Sequence, residues 1–223
     1  MASHLDLEEQ EQLDELKHFW QRWGDLITWL LIVVLGGYAA WMGWQSYAAK
    51  QAVQSAALYD TVERSAVSGE DALLDRSLSD IKDKFAGTTY AQQAALLAAR
   101  VYQDKDRKAD AKAQLAWVID KAGDEGYQAL ARLRLAALLI DEKAYDEARK
   151  HLTAATPDAF APLMADRLGD LAMLQAQPAE AVQQYQKAWK GFEPNAEYRR
   201  LVAVKLAALG ADPEETAAVE TKK

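Results

Sequence analysis

Residues 165–194 read ADRLGDLAMLQAQPAEAVQQYQKAWKGFEP, and in this stretch small residues recur at helical spacing. Gly169 stands twelve residues before Ala181, which is followed by Tyr185 and Ala188, and Pro194 closes the segment. Small residues that face each other on two helices allow close approach, while a large residue one turn later fills the gap to the next pair. The pattern therefore predicts a hairpin of two closely packed helices.

The same register occurs twice more upstream. Ala111 and Ala148 align with Ala181 at spacings of 37 and 33 residues, although both copies lack the glycine and the closing proline. This register resembles the tetratricopeptide repeat, whose period is 34 residues. The resemblance implies an all-α chain in which helical hairpins stack into an α-solenoid. The other aligned positions are Ala99 and Ala136 with Gly169, Leu115 and Leu152 with Tyr185, and Val118 and Ala155 with Ala188.

The remainder of the C-terminal part is also predicted to be helical, because alanine and leucine dominate it and Gly or Pro breaks recur at regular intervals. Residues 51–86 predict one further hairpin in poorer register. Residues 196–210 predict a final amphipathic helix that covers the last repeat, as repeat arrays require. Residues 211–223 lack an apolar face and predict a disordered tail.

Residues 26–44, LITWLLIVVLGGYAAWMGW, carry no charge and predict a transmembrane helix over 26–47. Nineteen helical residues cover about 28 Å, close to the hydrocarbon thickness of a bilayer. Five of the seven tryptophans lie between Trp20 and Trp44, with pairs at both ends, as in the aromatic belts of membrane spans. A cleaved signal with Ser46-Tyr47-Ala48 as its cleavage site and a buried soluble helix are the alternatives. The acidic leader and the length of the apolar stretch disfavour the signal.

The charges near the span give a small positive-inside bias. Lys17 and Arg22 precede the span and Lys50 follows it, so we expect the acidic tail 1–25 in the cytoplasm and the domain 48–210 on the other side. The tail holds two bases and seven acids, a net charge of −5 of the total −8. The nearly balanced domain has no basic patch, which disfavours nucleic acid as a partner. The absence of cysteine fits an extracytoplasmic domain without requiring one.

No group of side chains predicts catalysis, a metal site or a cofactor. The three histidines are His4, His18 and His151, and the last shares a helix face with Glu147. Such a pair is usually a solvated contact, and no third metal ligand accompanies it. A hydrolase is the alternative, and it would require two buried carboxylates with raised pKa values in one cleft.

Two surfaces are candidate binding sites. In the span, small residues at spacings of four favour contact with a second membrane helix, although ordinary span composition explains them equally simply. These residues are Gly36, Gly37, Ala40 and Gly43. In the repeats, the inner wall formed by the first helix of each hairpin predicts a mixed surface that suits broad protein contacts. Its candidate residues are Gln93, Arg100, Gln103, Leu130, Leu133, Ala137, Leu163, Asp166, Asp170 and Met173.

The order of these segments resembles the YfgM-type ancillary subunits of the SecYEG translocon in Gram-negative inner membranes. The resemblance covers roughly residues 8–210 and rests on the leader that ends KHFWQRWGDLITW, on the single span and on the segments behind it. These segments are QAVQSAALYD, TTYAQQAALLAARVYQDKDRKADAKAQLAWVID, YQALARLRLAALLI, ADRLGDLAMLQAQPAEAVQQYQKAW and VAVKLAALG.

The resemblance implies a cytoplasmic N-terminus, a periplasmic repeat domain and no catalytic residues. It implies the SecYEG translocon, the periplasmic prolyl isomerase PpiD and exported unfolded polypeptides as partners, beside the lipid bilayer that holds the span. We therefore expect a non-enzymatic scaffold at the translocon. A tethered adaptor for envelope assembly or cell division is the alternative.

Overall fold

A computed structural model describes the backbone of residues 7–211 and the side chains of residues 17–211. This part of the chain contains nine α-helices, one short 3-10 helix and no strand, so the all-α prediction is confirmed. The predicted tail beyond Ala211 and the first six residues lie outside the described range. The helices are α1 (Leu7–Ser68), α2 (Asp71–Phe85), α3 (Thr89–Asp104), α4 (Lys108–Lys121), α5 (Glu125–Asp141), α6 (Tyr145–Leu152), α7 (Ala161–Leu174), α8 (Pro178–Gly191) and α9 (Glu197–Ala208).

The chain divides into two compact units after Val53, within α1. The described part of the first unit is helical. Its most apolar stretch of 18 residues has a mean hydropathy of 1.8, and none of that stretch is buried. By length and composition this helix could cross a membrane. The apolar side chains along it are open, as a lipid-facing surface requires.

In the second unit, the turns between paired helices share one backbone motif. Gly69, Asp106, Lys143 and Ala176 all have φ between 56° and 77°, and they follow one another at 37, 37 and 33 residues. A residue in this left-handed conformation ends a helix in the Schellman motif, in which a later N–H bonds back to a carbonyl of the last turn. These bonds run from Glu70 to Ser65, from Arg107 to Tyr102, from Ala144 to Leu139 and from Gln177 to Ala172.

These turns place the first hairpin, formed by the end of α1 and by α2, in the common register. Val62 stands seven residues before Gly69, as Ala99 stands before Asp106, and Leu74 occupies the position of Ala111. Val62 and Leu74 are both fully buried. The sequence alone showed poorer agreement here because this hairpin carries larger side chains at the positions that are small elsewhere.

The small positions of the later hairpins are confirmed as sites of close packing. Ala111, Ala148 and Ala181 are all fully buried. A Cβ built on Gly169 would lie 2.4 Å from Cε1 of Tyr185. Only glycine therefore lets α7 approach α8 this closely.

One position of the predicted register is wrong. Helix α6 ends at Leu152, so Ala155 lies in the connection to α7 and is exposed. The hydroxyl of Thr153 donates to the carbonyl of Arg149 at 2.9 Å and satisfies one of the free carbonyls at the helix end. Pro157 follows shortly afterwards and disfavours helix at the residue before it.

Helices α3 and α5 start at side-chain caps, and α7 has a proline in its first turn. The Thr88 hydroxyl accepts from the Ala91 N–H at 3.3 Å at the start of α3, and the Asp124 carboxylate accepts from the Gly126 N–H at 2.7 Å at the start of α5. Pro162 stands in the first turn of α7, where its missing N–H costs nothing. We call α3, α5 and α7 the A helices, and α4, α6 and α8 the B helices.

Candidate partner-binding groove and membrane face

The A helices bring part of the predicted inner wall to the surface. Arg100 and Gln103 on α3, Ala137 on α5 and Met173 on α7 are exposed, Met173 by 41%. Arg100, Ala137 and Asp170 occupy the same register position on successive A helices. A partner lying along the A helices would therefore meet these side chains in sequence.

Four further residues of the predicted set are half-buried between hairpins. Leu130 and Leu133 pack against the main apolar cluster, which runs from Val62 to Leu171. The Gln93 side-chain amide donates to the Tyr127 hydroxyl at 2.7 Å, which joins α3 to α5. These side chains therefore contribute to packing as well as to the wall. The fourth half-buried residue is Leu163.

Asp166 lies in the core, away from the accessible wall. Its side chain is 0% exposed, and it accepts from Lys205 Nζ at 2.7 Å and from the Tyr198 hydroxyl at 2.8 Å. Lys205 and Tyr198 both belong to α9, so this carboxylate fixes α9 to α7. A buried charge is tolerated only when it is paired and hydrogen-bonded in this way.

Asp170 belongs to the same network but remains partly exposed. It accepts from Lys205 Nζ at 2.6 Å and from the Tyr185 hydroxyl at 2.8 Å, and it pairs with Arg167 at 3.1 Å. Burial, followed by the bond to Asp166, raises the pKa of Tyr198 to about 12. Burial and the bond to Asp170 raise the pKa of Tyr185 further. Both hydroxyls remain protonated donors near neutral pH, which gives them a structural role.

Polar contacts about one repeat apart join successive hairpins. Arg107 Nη2 lies 3.2 Å from Asp75 Oδ2, and Lys112 Nζ lies 2.6 Å from Glu142 Oε2. Burial alone would raise the pKa of Asp75, but hydrogen bonds from Tyr102 and Arg107 outweigh it and the pKa lies below its usual value. These pairs hold neighbouring hairpins in register and so help to set the shape of the wall. Lys105 with Asp71 and Arg149 with Glu180 form further pairs of this kind.

One cleft opens between α3, α4 and α5. It measures about 280 Å³ and contains Arg100 and Gln103 of the predicted wall. It also contains Arg134, which the sequence analysis missed. The available signal was that Arg134 aligns with Arg167 at the repeat spacing of 33 residues. The other two lining residues are Ala99 and Leu115.

The small residues of the apolar helix are open. Gly36, Gly37, Ala40 and Gly43 are exposed, and a Cβ added to any of these three glycines would meet nothing within 4 Å. The surface therefore has space for the backbone of another helix. Along the same helix, Tyr38 and Trp41 lie with ring centroids 6.0 Å apart.

His151 is half-buried on α6. Burial and the nearby Arg132 lower the pKa of His151, while Glu147 opposes them. Its imidazole is therefore mostly neutral at pH 7. Within the described part of the chain, no three side chains of the metal-binding types come together.

Comparison with known proteins shows which family this chain matches. A family model described as a tetratricopeptide repeat-like domain matches residues 17–211. A Neisseria gonorrhoeae protein named "Ancillary SecYEG translocon subunit" is 33% identical over 210 residues, which cover 94% of this chain and 100% of the relative. Proteins with the same name from Haemophilus influenzae and Escherichia coli are each 26% identical. They cover 82% and 73% of this chain, and 89% and 78% of their own lengths.

Proposed function

The chain belongs to the tetratricopeptide repeat-like family of the ancillary SecYEG translocon subunits, and we propose that it is a non-enzymatic, membrane-anchored adaptor at the translocon. The observation that carries this proposal is the wall of A helices. Arg100, Gln103, Ala137 and Met173 expose both apolar and polar groups on stacked hairpins. Extended surfaces of stacked repeats serve protein contacts.

The partners that we propose for this wall are the SecYEG translocon, the periplasmic prolyl isomerase PpiD and exported unfolded polypeptides. The relatives' name supports the first of them. The mixed chemistry of the wall supports unfolded polypeptides of varied sequence as partners, because scattered apolar and charged groups favour weak, broad contacts.

The membrane arrangement that we propose has residues 1–25 in the cytoplasm, a span over 26–47 and residues 48–210 in the periplasm. The apolar helix and the excess of Lys17 and Arg22 over Lys50 support it. Gly36, Gly37, Ala40 and Gly43 then serve contact with a membrane helix of the translocon or of PpiD. Their open surface supports this role.

The wall can be tested with single-cysteine crosslinking, because the chain contains no cysteine. Ala137→Cys and Met173→Cys place a benzophenone-maleimide probe on the wall, and Ala113→Cys places it on an exposed position of the B helix α4. Leu133 suits this purpose less well because its side chain packs against the core.

After mild detergent extraction, we expect crosslinks to translocon or PpiD subunits from the two wall positions and fewer from α4. Failure to enrich either partner would refute the proposal. Crosslinks to division or envelope-assembly proteins without dependence on active export would favour the alternative adaptor. A membrane-impermeant maleimide that fails to label Ala137→Cys from the periplasm would refute the orientation.

A further inference from the structure

The cleft between α3, α4 and α5 combines an apolar floor with a cationic edge. Ala99 and Leu115, which are 3% and 2% exposed, contribute apolar surface. Arg100 and Arg134 are exposed, and the Gln103 side chain adds an amide. With a volume of about 280 Å³, the cleft accommodates one or two side chains rather than a cofactor.

The charge at this edge is poorly compensated. Arg134 Nη1 donates to the Leu96 carbonyl at 3.3 Å, and no carboxylate of the described residues contributes to the electrostatic environment of its guanidinium. Arg100 Nε lies 4.0 Å from Asp104, but both side chains are more than two-thirds exposed, so the pair contributes little. Partial burial of its guanidinium, and then the nearby charge of Arg100, lower the pKa of Arg134.

Two other arginines of the array are paired with carboxylates. Arg107 contacts Asp75 and Asp110, and Arg167 contacts Asp170. Arg134 aligns with Arg167 of the later repeat. The residue three positions after Arg134 is Ala137, whereas the residue three positions after Arg167 is Asp170. Arg134 therefore lacks the internal carboxylate that its equivalent Arg167 has.

We propose that this cleft binds an acidic side chain of a peptide segment, whose carboxylate pairs with Arg100 and Arg134 while its methylene groups lie on Leu115 and Ala99. A carboxylate would satisfy guanidinium donors and relieve the repulsion between the two cations. The inference rests on the proposed adaptor function and names the chemistry of its partner.

A peptide suits this cleft better than a lipid headgroup. The floor is apolar and small, which matches the short stem of Glu or Asp, and the cleft adjoins Gln103 of the exposed wall. Residues on either side of the acidic residue could continue along that wall. An anionic bilayer surface instead binds clusters of four to eight basic residues.

The test uses the full chain in discs of phosphatidylcholine and a short fluorescein-labelled peptide with paired glutamates between leucines. The reference peptide carries glutamines in place of the glutamates. The test variant combines Arg100→Gln with Arg134→Gln. The control combines Arg64→Gln with Arg76→Gln, which removes the same charge from exposed positions on α1 and α2.

We expect the glutamate peptide to bind about three- to tenfold more tightly than the glutamine peptide, since each of the two guanidinium groups is partly exposed and contributes a modest charge-assisted pair. The test variant should lose that preference, the control should keep it, and the affinity should fall as salt rises. If the test variant unfolds, Arg100→Gln alone carries the test, because Arg100 is highly exposed. That variant should weaken binding at least about threefold.

Equal affinity for both peptides, no binding of the glutamate peptide at millimolar concentration, or equal losses in test and control variants would overturn the inference. Arginine-dependent binding to phosphatidylglycerol vesicles without peptide binding would also overturn it. Translocon recovery from membranes separates the two proposals. A protein that recovers the translocon but shows no preference for glutamate refutes only the cleft, whereas the opposite result refutes only the translocon role.

Discussion

Replacing Gly169 by alanine tests how closely α7 packs on α8. The added Cβ would lie 2.4 Å from Cε1 and 2.5 Å from Cδ1 of Tyr185, well inside van der Waals contact. Tyr185 has little room to withdraw. It is 4% exposed, and its hydroxyl donates to Asp170 at 2.8 Å.

The expected loss follows from two opposing effects of Gly169→Ala. Overpacking a filled core costs about 1–3 kcal/mol, and this overlap is severe enough to place the cost near about 3 kcal/mol. Alanine is the better helix former and returns about 1 kcal/mol. The free energy of unfolding should therefore fall by about 2 kcal/mol, and the melting temperature by about 4–8 °C.

Urea titration followed by circular dichroism on the full chain in detergent measures this loss. Gly87→Ala is the matched control, because a Cβ there meets nothing within 4 Å, and it should change stability by less than about 0.5 kcal/mol. In a Tyr185→Leu background the cost of Gly169→Ala should shrink, since the clashing ring is gone. An undiminished loss in that background, or no loss in the parent chain, would refute the packing argument.

Three further predictions concern the turns and the ion pairs. Ala176→Gly should raise the free energy of unfolding by about 0.5–1 kcal/mol, because glycine relieves the left-handed strain at φ 56° and this gain exceeds its greater loss of backbone entropy. Urea titration measures the change, and a decrease would contradict the argument. Lys205→Met should cost about 3 kcal/mol by leaving buried Asp166 uncompensated, and adding Asp166→Asn should recover part of that loss in the same assay. The pKa of Asp75 is lowered on folding, so its stabilisation is present above about pH 4 and is lost as the pH falls through the folded pKa. The melting temperature should therefore fall less between pH 5 and pH 3 in Asp75→Asn than in the parent chain. Identical profiles of melting temperature against pH in the two proteins would contradict this role of Asp75.

The hairpins could be predicted because their packing depends on residue size, which the sequence displays directly. Ala111, Ala148 and Ala181 are small residues at equivalent positions of successive repeats, and all three are buried as the register requires. The end of α6 was harder to place, because Ala155 is small and helix-forming although the helix stops at Leu152. The local signals were Thr153 and Pro157, which compete with the periodic pattern.

The inner wall could be predicted only in part, because the register gives the face of a residue and not its partners. Asp166 fell on the predicted wall, but α9 covers it with Lys205 and Tyr198 from more than thirty residues away. Arg134 escaped notice for a related reason. Its position next to Arg100 depends on the lateral contact between α3 and α5, which spacing within either helix does not reveal.

The left-handed turns explain how hairpins with unlike sequences keep one geometry. Asp106, Lys143 and Ala176 share no side-chain chemistry, yet each ends its A helix with the same pattern of backbone hydrogen bonds. Because backbone groups form this motif, the chain between the helices can vary without changing their angle. Contacts between neighbouring repeats then need only small residues and a few ion pairs. The exposed wall residues take no part in the turns or in the contacts between repeats. The chemistry of the wall can therefore change from cationic at Arg100 to apolar at Met173 along one array.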